Sequence, residues 1–162
     1  MSGTTHFAEA AVDSAEVAWL VSKRAAAIRS RDAEYLASRY APGAMTFGVA
    51  PPLSPFAEDA WRVEWIRAWF ARFSGRIDHR VLDVTVSVGG DLAFCRSVEV
   101  LSARPSYGRR REVRFETVLG LRRVAGIWLV ECERVEPPTE AGGAASARAT
   151  RRWPWRSCRR PR

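Results

Sequence analysis

Hydrophobic residues recur at the helical spacing of three and four positions in the first half of the chain. This pattern predicts a first helix over Asp13–Arg31. A short second helix over Asp32–Tyr40 follows, which Asp32 can cap and Pro42–Gly43 would end. A third helix is predicted over Glu58–Phe73, after a proline-rich loop that can be neither helix nor central strand. Three helices are therefore expected before the antiparallel meander begins.

Alternation of apolar and polar residues begins at Val81 and is typical of strands. It predicts strands over Val81–Val88, Leu92–Ala103, Arg110–Arg123 and Ile127–Val135, with a shorter one earlier over Met45–Val49. Turn residues separate the later strands, as in an antiparallel meander. Helices followed by such a meander predict an α+β fold with one helix layer on one face of the sheet. A strongly curved sheet would leave a cavity between the two layers.

The chain of 162 residues fits one domain, and its hydrophobic content of 47% can supply a core. We expect a flexible lead-in over residues 1–12, a domain over residues 13–138 and a disordered tail over residues 139–162. The tail holds seven of the arginines and one acid, so the net charge of +8 falls to +2 without it. The basic character therefore does not indicate a nucleic-acid groove, and the tail is not expected to bind nucleic acid or membrane.

Several classes of protein are disfavoured by what the sequence lacks. There is no apolar run long enough to span a membrane and no secretory signal pattern at the N-terminus, so a cytoplasmic protein is expected. Cys95, Cys132 and Cys158 are widely spaced and form no metal-binding motif. No phosphate-binding glycine loop is present either, so neither a metal nor a cofactor is expected.

Four short motifs, in order along the chain, resemble those of one superfamily. They are Ala26–Ala27–Ile28 with Asp32, Tyr40–Ala41–Pro42–Gly43–Ala44, Gly90–Asp91–Leu92–Ala93–Phe94 and Gly126–Ile127–Trp128–Leu129–Val130. Together they resemble the SnoaL-like, ketosteroid-isomerase-like families of the nuclear transport factor 2-like superfamily, from about Asp13 to Pro138. The resemblance implies a cone-shaped curved antiparallel sheet, packed by three helices and enclosing a pocket for a small molecule. It also implies a homodimer formed through the sheet.

The sequence departs from that superfamily at the positions that carry its chemistry. Gly48 stands where the isomerases have an aspartate general base, and Arg24 stands near the position of their oxyanion-stabilising tyrosine. Cys132 and Arg134 occupy last-strand positions at which many relatives have histidines. Since fold does not determine function, steroid isomerisation does not follow from the resemblance.

Arg96 is the first candidate for a catalytic residue. Its strand neighbours on the same face are Phe94 and Val98, so a pocket-facing Arg96 would place a cation among apolar groups. Such a guanidinium could bind a carboxylate or an enolate. The alternative is a structural ion pair with Glu116 or Glu133.

Three other residues are candidates for moving a proton. Glu131 and Glu133 share one face of the last strand, and the turn at Val124–Gly126 decides whether that face points inward. A carboxylate in an apolar pocket could act as acid or base, whereas most glutamates are simply solvated. His79 titrates near neutrality, although its position at a strand start favours a surface location.

Aromatic and apolar residues that could line the pocket are also candidates for substrate binding. They are Trp61, Trp65, Tyr40, Phe47, Phe94, Val98, Phe115 and Thr117. Core packing is the simpler role for most of them.

The resulting hypothesis is a cofactor-independent enzyme of secondary metabolism, which performs an isomerase- or cyclase-type proton transfer on a polyketide-like or polycyclic substrate. The alternative hypothesis is a non-catalytic ligand-binding or dimerisation module.

Overall fold

The computed structural model describes residues 3–48 and 63–136, with side chains over residues 10–46 and 63–136. Its elements are α1 (Gly3–Ser30), α2 (Ala33–Ser38), β1 (Tyr40–Gly48), α3 (Val63–Phe70), β2 (Phe73–Gly89), β3 (Leu92–Pro105), β4 (Arg111–Val124) and β5 (Ile127–Glu136). The predictions for the tail over residues 139–162, for Trp61 and for the side chain of Phe47 lie outside the described residues.

The strands form one five-stranded sheet in the order β1-β5-β4-β3-β2. Strands β2 to β5 make the antiparallel meander that the sequence predicted, with Val88 opposite Ala93 beside the first turn. β1 adds to the other edge and runs parallel to β5. The α+β class is thus confirmed, and the sheet is mixed rather than wholly antiparallel.

The main differences from the predicted element boundaries concern α1, β1 and β2. α1 is already helical from Gly3, whereas the predicted first helix began at Asp13. Tyr40 begins β1 instead of ending the second helix. β2 begins at Phe73, well before Val81.

The joint between the helices is held by Arg31 and Asp32. Arg31 has a positive φ of 60°, which turns the chain out of α1. The Asp32 side chain then caps α2 by accepting from the backbone N–H of Tyr35 at 2.9 Å. The Arg31 guanidinium donates to the carbonyl of Phe70 at 2.6 Å and to that of Gly75 at 2.7 Å. This contact ties the end of α1 to the end of α3.

The helices cover one face of the sheet, which we call the inner face, and its core falls into two apolar clusters. The first joins α2 and α3 to one end of the strands: Ala27, Ala33, Leu36, Ile66, Phe70, Phe73, Ile77, Leu101, Ala103, Val113 and Phe115. The second joins the middle of α1 to the other end: Val17, Leu20, Val21, Tyr40, Ala44, Ala93, Cys95, Leu119, Leu121, Trp128 and Val130. Each fully buried large side chain contributes about 1.5–3 kcal/mol.

Among the described residues, no helix is long and apolar enough to cross a membrane.

Candidate functional site

A row of buried polar side chains crosses the inner face between the two apolar clusters. We call this row the polar belt; its members are Arg24, Tyr40, His79, Ser97, Glu99, Thr117 and Glu133. Each of them is less than 9% exposed. Helix α1 and all five strands contribute to it. Buried polar groups cost free energy unless they are paired, so a continuous row of them calls for an explanation.

The strand pattern places these polar residues at the same height along the strands, between the two apolar clusters. On β3, Ser97 and Glu99 follow Cys95 of one cluster and precede Leu101 of the other. Ser97 lies opposite Thr117 of β4 in the sheet register. All of them point inward because side chains alternate between the faces of a strand.

Glu133 reaches the belt because β5 contains a bulge. Leu121 pairs with Val130 while Gly120 pairs with Cys132, so Glu131 is an extra residue in β5. The extra residue reverses the alternation and puts Glu133 on the same face as Val130.

Arg24, Tyr40 and Glu133 form a closed set of hydrogen bonds. Nη2 of Arg24 donates to Oη of Tyr40 at 2.5 Å and to Oε1 of Glu133 at 2.7 Å. The Tyr40 hydroxyl donates to Oε2 of Glu133 at 2.7 Å. The guanidinium also lies 5.5 Å from the centre of the Tyr40 ring. The ion pair of Arg24 and Glu133 is therefore buried and is reinforced by a third group.

His79, Glu99 and Ser97 form the second set. Nε2 of His79 lies 2.6 Å from Oε2 of Glu99, and the Ser97 hydroxyl donates to Oε1 of Glu99 at 2.5 Å. The His79 ring packs 5.9 Å from the ring of Phe115. One carboxylate thus orients the imidazole, and a hydroxyl orients the carboxylate.

The two sets influence each other electrostatically. Burial alone would raise the pKa of Glu99, but its hydrogen bond with His79 and the charges of His79 and Arg24 hold the pKa below its usual value. Burial opposes the charge of Arg24, yet Tyr40, Glu133 and Glu99 together raise the pKa of the guanidinium. Burial, followed by the charge of Glu99, raises the pKa of the Cys95 thiol to about 11. Burial likewise raises the pKa of the Tyr40 hydroxyl.

Two nitrogens of the belt are buried and have no hydrogen-bond partner among the residues that the structure describes. They are Nε of Arg24 and Nδ1 of His79. Buried polar atoms without a partner are rare in folded proteins, and each costs about 1–3 kcal/mol. A ligand atom that bonded to them would remove this cost.

The inward orientation expected for Arg96 is wrong. Arg96 lies on the outer face, where its side chain is 48% exposed. It donates to both carboxylate oxygens of Glu116, at 2.9 Å and 2.7 Å, which is the structural ion pair named as the alternative. The reason is the strand alternation, because Cys95 and Ser97 on either side of it both point inward.

The other candidate proton carriers divide between the faces. Glu131 and Glu133 do not share a face, because of the bulge: Glu131 pairs with Arg122 at 2.7 Å and is 41% exposed. The turn itself is a two-residue loop at Ala125–Gly126, with φ of 50° and 80°. His79 is 3% exposed, so the surface location that its strand-start position favoured is wrong.

The candidate substrate-binding residues are also divided. Tyr40, Phe115 and Thr117 are buried on the inner face. Val98 is buried on the opposite face from Ser97, and Phe94 is 64% exposed on the outer face. Trp65 of α3 is half-buried.

Sequence reasoning missed Arg24, Ser97 and Glu99 as members of the site. A signal for Arg24 was present, because it interrupts an apolar helical stripe between Val21 and Ala27. Glu99 similarly interrupts an apolar run between Val98 and Val100. Charged residues inside such runs are seldom buried without a partner.

No group of three or more metal-binding side chains occurs within residues 10–46 and 63–136. Cys95 and Cys132 are free thiols.

Comparison with known proteins gives one family and a set of similar folds. A family model described as SnoaL-like domain matches residues 17–131. A search of the curated proteins found no match.

Three of the similar solved structures illustrate the range of relatives. An NTF2-like protein of unknown function from Pseudomonas putida KT2440 is 21% identical, with a TM-score of 0.67, covering 81% of this chain and 90% of its own. The "Putative Scytalone Dehydratase" of Novosphingobium aromaticivorans DSM 12444 is 15% identical, with a TM-score of 0.68 and coverage of 79% and 85%. A "putative dehydratase from the NTF2-like family" of Streptomyces avermitilis is 19% identical, with a TM-score of 0.67 and coverage of 80% and 99%. At these identities the likeness concerns the fold alone.

Proposed function

The chain belongs to the SnoaL-like domain family, and from that premise we propose that it is a small-molecule enzyme whose polar belt performs acid–base chemistry. The reaction would be a proton transfer next to a carbonyl group, of the kind that starts an isomerisation, a cyclisation or a loss of water. The substrate would be a polyketide-like or polycyclic molecule, and no cofactor would take part. Similarity to two proteins named as dehydratases agrees with this class of reaction.

The observation that carries the proposal is the environment of His79. Its Nε2 bonds to Glu99, while its Nδ1 is buried and has no partner within the described part of the chain. A histidine oriented by a carboxylate through one nitrogen has its other nitrogen available for proton transfer. In the proposed step, Nδ1 of His79 takes a proton from the carbon next to the carbonyl. The C–H electron pair becomes a C=C bond, and the π pair of the carbonyl moves to its oxygen, which gives an enolate.

Two neighbouring groups would lower the energy of that step. Glu99 would stabilise the imidazolium that forms, because the carboxylate already lies 2.6 Å from the ring. The unpartnered Nε–H of Arg24 would donate to the enolate oxygen. Return of the proton from His79 to a carbon conjugated with the enolate completes an isomerisation. Where the substrate carries a hydroxyl β to the carbonyl, the enolate re-forms the carbonyl as the C–O bond breaks, and His79 gives the proton to the departing oxygen, which leaves as water.

The test is deuterium exchange at the α-carbons of 2-tetralone, a bicyclic ketone, followed by NMR in D₂O. We expect the wild-type protein to accelerate exchange, and His79→Asn to lower the catalysed rate by about 10²–10⁴-fold. Arg96→Gln is the matched control, because that side chain lies on the outer face, and it should exchange at the wild-type rate. Equal rates for the wild-type protein and a folded His79→Asn variant would refute the proposal.

A second candidate function is ligand binding without catalysis. The hydrogen bonds among Arg24, Tyr40 and Glu133 favour it, since groups that satisfy each other can be purely structural. Binding of 2-tetralone without accelerated exchange would support this function over the enzyme.

A further inference from the structure

The belt holds two carboxylates and one permanent cation. Glu133 and Glu99 face the belt as anions, and Arg24 is the one Lys or Arg that is buried among the described residues. The net charge of the belt is therefore −1 when His79 is neutral and zero when His79 is protonated. In neither state does the belt carry spare positive charge.

The hydrogen-bond donors of Arg24 also favour an uncharged ligand over a carboxylate. An arginine usually binds a carboxylate through two parallel N–H groups. Nη2 of Arg24, which belongs to both two-pronged edges of a guanidinium, is already occupied by Tyr40 and Glu133, and Nε is a buried donor without a partner among the described residues. A single N–H suits one acceptor oxygen, such as that of a ketone or a hydroxyl group.

We propose that Glu133 is a specificity-determining residue, which neutralises Arg24 and restricts the belt to uncharged ligands that accept hydrogen bonds. This inference rests on the proposed function, because it takes the belt to be the ligand site. A carboxylate ligand would place a third anion beside one arginine in a buried site, where charge interactions are stronger than in water. An uncharged ketone meets the free Nε–H without that repulsion.

The test compares two probes with the same ring system, 2-acetylnaphthalene and 2-naphthoate, by isothermal titration calorimetry at pH 7. We expect the wild-type protein to bind the ketone at least about tenfold more tightly than the carboxylate. Glu133→Gln keeps the shape and removes the charge, so it should tighten naphthoate binding by at least about tenfold. It should change the affinity for the ketone much less.

Glu131→Gln is the matched control, because it makes the same chemical change in the same strand but on the outer face. It should leave both affinities as they are in the wild-type protein. Should Glu133→Gln fail to fold, the comparison of the two probes on the wild-type protein still decides the question.

Several results would overturn the inference. One is wild-type binding of naphthoate as tight as that of the ketone, and another is equal tightening of naphthoate binding by Glu131→Gln and Glu133→Gln. Failure of both probes to bind at millimolar concentration would also overturn it. Selective ketone binding without exchange of 2-tetralone would refute the proposed function alone. Accelerated exchange with a preference for naphthoate would refute the inference alone.

Discussion

Removal of Arg24 tests whether the belt is a buried ion-pair network. Arg24→Met keeps a long side chain but leaves Glu133, which is 5% exposed, without its cation. Removing one partner of a buried ion pair costs about 3–5 kcal/mol, because an uncompensated charge remains. That is a large part of the 5–15 kcal/mol that is typical for the stability of a domain. Tyr40 still donates to Glu133 in the variant, so the lower half of the range is expected.

The assay is urea unfolding at pH 7, followed by circular dichroism. It compares the wild type with the single variants Arg24→Met and Glu133→Leu and with the double variant Arg24→Met/Glu133→Leu. The double variant replaces the pair by apolar groups and should be more stable than Arg24→Met alone, by about 2 kcal/mol or more. Arg96→Met, at an exposed pair, should unfold at the wild-type urea concentration. A loss below about 1 kcal/mol for Arg24→Met would refute the account of a buried pair. A double variant less stable than both single variants would refute it as well.

Four further predictions address the belt, the outer face and the tail. The pKa of Glu99 is lowered in the folded protein, so its stabilising effect is present above the ordinary glutamate value of 4.5 and is lost as the pH falls through the folded value. Between pH 7 and pH 3, Glu99→Gln should therefore lose less unfolding free energy than the wild type in urea titrations, and an equal loss would contradict this. Gly120→Ala should lower the free energy of unfolding by about 1–3 kcal/mol, because its new Cβ would lie 2.5 Å from Sγ of Cys132. Adding Cys132→Ala should restore the lost stability. Unchanged stability of Gly120→Ala would show that the sulfur moves aside freely. We propose a homodimer that forms through the outer face, where the ring of Phe94 is 64% exposed. Phe94→Asp should therefore reduce the mass measured by light scattering to that of one chain. A monomeric wild-type protein would contradict the dimer. Deletion of residues 139–162 should change the melting temperature little, because the segment has no apolar periodicity, and a large drop would show that it packs on the domain.

The periodic parts of the sequence predicted most of the fold. The meander and its two-residue turn follow from strict alternation and turn residues, and Ala125–Gly126 takes the left-handed conformation that such a turn requires. The start of β2 escaped prediction because Ser74–Gly75 resembles the end of a helix. In the structure α3 ends earlier, at Phe70, and Ser74 and Gly75 lie within β2, which begins at Phe73.

The site was harder to predict, because alternation divides a strand into two faces without saying which face is inner. Arg96 has apolar neighbours at Phe94 and Val98, and these lie on the outer face with it. Its inward orientation was therefore inferred from hydrophobicity that belongs to the other side of the sheet. The bulge at Glu131 is equally invisible in the sequence, yet it alone brings Glu133 into contact with Arg24.

The central claim is that Nδ1 of His79 meets the ligand while Nε2 stays bonded to Glu99. Long-range ¹H–¹⁵N NMR of the imidazole tests it most directly, in a His6→Asn variant that leaves His79 as the one histidine of the chain. On addition of 2-tetralone, the account predicts a shift of the Nδ1 resonance and little change at Nε2. Unchanged resonances at both nitrogens with bound ketone, or a shift at Nε2 alone, would contradict the claim.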